Sequence, residues 1–110
     1  MAKLELSLTG NFDGFLSTVE DGILKGSVSA HLEDGSDFRI GDVRCAVRVF
    51  ERYSWFGGNR VSLSLTLLGD GDKLTLSAIA AGGSGAMFFK LNTIGEDSFL
   101  NRLEKIVDAY

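Results

Sequence analysis

The stretch Val43-Arg44-Cys45-Ala46-Val47-Arg48-Val49-Phe50 decides how this chain is read. Side chains of a strand alternate between two faces, so Val43, Cys45, Val47 and Val49 form one row. Arg44, Ala46, Arg48 and Phe50 form the other. The valine row is the greasier, which predicts that it faces the core. Arg44 and Arg48 then lie on an outer face, and Arg52 continues their parity.

Working outward, the flanking segments also read as strands. Val28, Ala30 and Leu32 alternate with Ser27, Ser29, His31 and Glu33, and Asp34-Gly35-Ser36-Asp37 reads as a loop by composition. On the other side, Val61, Leu63, Leu65 and Leu67 alternate with Ser62, Ser64 and Thr66. A hairpin turn of the Asp-Gly kind is expected in Gly69-Asp70-Gly71-Asp72, before Leu74, Leu76 and Ala78 alternate with Thr75 and Ser77. The glycine cluster Gly82-Gly83-Ser84-Gly85 precedes a last strand with Met87, Phe89 and Leu91 on one side.

Both ends of the chain add helical spacing. Lys3 to Thr9 alternates as a strand with Leu4, Leu6 and Leu8 inward. After Gly10 the period changes: Phe12, Phe15, Leu16, Val19 and Ile23 share one helical face, with Asn11 as cap and Gly26 past the end. Toward the C-terminus, Phe99, Leu103, Ile106 and Tyr110 share a stripe with Leu100 and Val107, behind the acidic start Glu96-Asp97. The sequence therefore predicts one α+β domain over residues 1–110. Its single curved, mainly antiparallel six-stranded sheet follows the order β-α-β-β-β-β-β-α. Both helices are expected on one face.

Composition narrows the function classes. One cysteine in 110 residues excludes an intrachain disulfide, and Met1-Ala2-Lys3 leads straight into strand sequence, so a cytoplasmic home is expected. No apolar run approaches the ~18 residues that span a bilayer. A formal charge of -4 argues against a nucleic-acid partner, since phosphate binding rests on Lys and Arg.

The order of elements resembles a pared-down helix-grip fold, the architecture of the Bet v 1-like and START lipid-transfer families. It departs from them in having one helix, not two, after the first strand. At the sequence level, residues 41–53 and Gly82-Gly83-Ser84-Gly85-Ala86-Met87-Phe88-Phe89-Lys90 resemble a small bacterial family catalogued as a domain of unknown function. That resemblance spans the whole chain and implies no catalytic residue.

Candidate chemistry is thin. With His31 the only histidine and Cys45 the only cysteine, no Cys/His zinc site can be assembled, and no metal or cofactor is expected. Asp34, Asp37 and Asp42 lack the spacing of a calcium loop. Strand parity sets His31 and Cys45 on opposite faces, which argues against a thiolate–imidazolium pair. The glycine cluster lacks the Lys-Ser/Thr of a phosphate loop. An enzyme is not expected.

The contact candidates are Arg44, Arg48 and Arg52, which with Ser62, Ser64, Thr66, Thr75 and Ser77 form a hydroxyl-and-guanidinium surface. Glu33 and Glu51 are positioned to neutralise the arginines. Tyr53, Trp55 and Phe56 add aromatic groups beside the Gly57-Gly58 turn. Two functions follow as expectations. The first is a non-enzymatic interaction module that self-associates as a homodimer. The second is a small-molecule domain holding an apolar ligand between the sheet and the C-terminal helix.

Overall fold

A computed structural model describes residues 2–26, 29–53 and 60–82. They form β1 (Ala2–Thr9), α1 (Phe12–Lys25), β2 (His31–Ile40), β3 (Val43–Tyr53), β4 (Arg60–Asp70) and β5 (Lys73–Gly82). The strands make one antiparallel sheet in the order β1-β5-β4-β3-β2. This is a mainly-β α+β fold. Among the described residues there are five strands and one helix, where the sequence led us to expect six and two. The expected strand with Met87 to Leu91 and the helix ending at Tyr110 lie outside the described residues.

Helix α1 starts where the sequence places it. The Asn11 side chain accepts from the Gly14 N–H at 2.7 Å, satisfying one of the donors that a helix start leaves open. Gly26 closes the other end. Phe15, Val19 and Ile23 pack onto Leu63, Leu65 and Leu67 of β4 and Leu74 and Leu76 of β5, all at most 1% exposed. Each such side chain contributes about 1.5–3 kcal/mol by burial, so this layer carries the fold. Leu4, Leu6 and Leu8 of β1 flank it, half-buried.

Two hairpin turns share one construction. Gly41-Asp42 joins β2 to β3 and Gly71-Asp72 joins β4 to β5, with Gly41 at φ 59° and Gly71 at φ 63°. Neither Asp42 nor Asp72 has a positive φ, so glycine leads each turn as in type II′, rather than following Asp.

Two expectations are overturned. Residues 34–37 are strand, not loop: β2 runs unbroken through Asp34-Gly35-Ser36-Asp37 with a register shift between Leu32 and Asp34. Its polar composition is that of an exposed edge strand, where charge and a bulge discourage pairing with other chains. The phase of β3 is also reversed. Ala46 and Phe50 are fully buried under α1, opposite Leu67 and Leu63, so Arg44, Arg48 and Arg52 share the helix-facing side. Val43, Cys45, Val47 and Val49 point to the sheet's other face. The cause is α1, whose Asp13 and Glu20 receive the guanidinium heads while the arginine stems cover apolar surface.

Candidate functional site

The arginine row is a latch between helix and sheet. Arg44 forks onto both carboxylate oxygens of Asp13, at 2.9 and 2.8 Å, and stacks 4.2 Å from the centre of the Phe12 ring. The Arg44 guanidinium holds the Asp13 carboxyl below its ordinary value of 3.8. Arg48 is the hub of a larger network. Its Nε donates to Glu20 at 2.9 Å, Nη2 to Asp37 at 3.0 Å, and Nη1 to the Ser36 and Val47 carbonyls. Burial pulls the Arg48 pKa down, but Glu20 and Asp37 outweigh it and the net shift is upward. Burial lowers the Arg52 guanidinium below its ordinary value.

These arginines and the hydroxyl row are therefore not one surface, because Arg44 and Arg48 lie on the opposite side of the sheet from Ser62, Ser64 and Thr66. The expected neutralisers also change, since Asp13, Glu20 and Asp37 pair with the row and Glu33 and Glu51 do not. Tyr53 closes β3 and is exposed, its N–H donating to the Ser29 hydroxyl at 3.1 Å. Trp55 and Phe56 lie outside the described residues.

What the reversed phase leaves uncovered by α1 is the other face of the sheet. Val43, Cys45, Val47 and Val49 run along it on β3. Phe38 is 58% exposed and Ile40 83% on β2, with Leu68 at 45% on β4. Ser64, Thr66, Thr75 and Ser77 fill the remaining centre. Charge is confined to the edges and corners of this face. On β1, Lys3 lies 3.8 Å from Glu5, and Asp70 and Lys73 face each other at the β4–β5 turn.

At one corner the sequence reading missed a cluster. His31 lies directly across from Glu51, and Glu33, the residue without a partner in the β2–β3 register, turns its carboxylate to the same spot. His31 Nε2 stands 2.7 Å from Glu33 Oε1, and its Nδ1 stands 3.2 Å from the Ser29 carbonyl. Those two acceptors, Glu33 first, hold the imidazole pKa above its ordinary 6.5. Glu51 accepts from Arg60 and, at 3.2 Å, from the Ser62 hydroxyl. The signal was available: once β3 is phased by Phe50, Glu51 falls on the face of His31. Cys45 shares that face too, contrary to expectation, but six positions from Glu51 along β3, or ~20 Å at ~3.3 Å per residue. The thiol and imidazole cannot meet.

A cleft of ≈ 520 Å³ opens at the opposite end, lined by Gly10 to Asp13, Asp42, Arg44 and Gly69 to Asp72. It lies beside the start of α1 and the two hairpin turns, not between helix and sheet. Among the described residues no helix is long and apolar enough to cross a membrane.

Fold and faces together define a mainly-β α+β domain with one helix-covered side among its described residues. The model of DUF6054, described as a family of unknown function, matches residues 1–110, and the chain belongs to that family. Comparison with curated proteins and with solved structures found no match.

Proposed function

We propose that this protein is a non-enzymatic interaction module that pairs with a second copy of itself through the sheet face opposite α1. The observation that carries this reading is the exposure of Phe38, Ile40 and Leu68 on one continuous face with the β3 valines. Monomeric proteins rarely expose contiguous apolar patches larger than a few hundred Å² without a use.

Two features favour a second copy as the occupant. Five strands ~4.8 Å apart and 8–11 residues long span roughly 20 by 30 Å, or about 600 Å². That approaches the ~800 Å² each partner contributes to a standard interface. The face also has an uncharged centre and a rim where Lys3 with Glu5 and Arg60 with Glu51 pair within the chain. Asp34, opposite Val49 at the β2 edge, adds a carboxylate to this rim, and the uncharged centre lets a copy approach although the whole chain carries -4. The apolar-ligand reading places its pocket against the C-terminal helix, outside the described residues; beneath α1, Leu63, Leu65, Leu67, Leu74 and Leu76 fill the space.

Sedimentation velocity of the full chain tests the proposal. Wild type is expected to be a dimer at tens of micromolar, and Val47→Lys a folded monomer, because an interfacial charge left unpaired costs several kcal/mol. A monomeric wild type overturns it, whether the face is bare, covered by residues 83–110, or reserved for another protein.

A further inference from the structure

We propose that His31, Glu33 and Glu51 form a binding site for a divalent first-row transition ion of the Zn2+ class. The inference does not rest on self-association. One ligand atom from each residue lies within 4.8 Å of the others, a separation that small movements close around an ion with ~2.1 Å bonds. One imidazole nitrogen with two carboxylates suits such ions, and solvent on the open side supplies the remaining positions.

The surroundings orient the ligands as a metal site requires. His31 Nδ1 lies 3.2 Å from the Ser29 carbonyl, so an N–H kept there leaves Nε2, which donates to Glu33 without an ion, as the atom an ion would take in place of its proton. The Ser62 hydroxyl donates to Glu51 Oε2 at 3.2 Å and holds that carboxylate in place. Direct cross-strand pairing fixes the His31–Glu51 separation, and the irregularity between Leu32 and Asp34 leaves Glu33 outside the ladder, beside them.

Arg60 supplies the positive charge when no ion is bound. Its guanidinium contacts Glu51 and lies 3.8 Å from Glu33, spanning the carboxylates the ion would take. Ion binding must therefore displace Arg60, and this competition separates a metal site from a plain salt-bridge network.

The test is titration of the full chain with ZnCl2 in a Cys45→Ser background, followed by calorimetry and by NMR of the single imidazole. We expect one ion per chain and a shift of the His31 ring signals at stoichiometric zinc. His31→Ala and Glu51→Gln should each weaken binding at least about tenfold. Arg60→Ala should tighten it several-fold. No shift of the His31 ring at millimolar zinc overturns the proposal. So does binding that is unchanged in His31→Ala, or that weakens in Arg60→Ala. The ring shift of the histidine-containing protein decides the matter even if a variant fails to fold.

Discussion

At Arg48, four hydrogen bonds converge on one side chain that is only 13% exposed. A planar guanidinium can serve Glu20, Asp37 and two carbonyls together, whereas a lysine is a point charge on a flexible stem. Arg48→Met should therefore cost about 2 kcal/mol in urea unfolding, the usual loss when charged groups forfeit their partner, and Arg48→Lys should recover little of it. Asp13 gives a pH signature. Its folded pKa is held below the ordinary 3.8 by Arg44, so its contribution is complete above that value and disappears as pH falls through the folded one. Thermal melts from pH 5 to pH 2 should show wild type losing more stability than Asp13→Asn. Parallel pH profiles would contradict the pairing.

The elements differ in how far their sequence exposes them. β1, α1, β4 and β5 combine a single apolar row with a polar one, so period alone places their faces. In β3 both rows hold apolar residues, and the deciding facts lie elsewhere in the chain. Asp13 and Glu20 are seven apart on α1, matching Arg44 and Arg48 four apart on a strand, at about 10 and 13 Å respectively. That correspondence, with the bulk of Phe50, was the legible clue. A parity count weighs only the greasiness of each row and misses it. The cluster at Glu51 is hidden with the phase, and β2 beyond Glu33 reads as loop because an edge strand need not look apolar. How closely α1 seats on the sheet is set at Gly69, where an added Cβ would lie 2.6 Å from the Phe12 ring. Gly69→Ala should destabilise by about 1–3 kcal/mol through overpacking, read as a lowered melting temperature. An unchanged melt would show that Phe12 is not held there.

For the molecule as a whole, the helix-covered side explains stability and leaves the other side to explain function. That face has an apolar half on β2 and β3, a hydroxyl-lined centre and a charged rim. Cys45 lies within it and is the only cysteine of the chain, so one thiol reports on the face without engineering. Its rate of alkylation by a maleimide, followed against protein concentration, tests the assignment most directly. The account predicts fast labelling of dilute wild type, slowing as concentration rises, and fast labelling of Val47→Lys throughout. A wild-type rate that does not change with concentration, whether fast or slow, would contradict it.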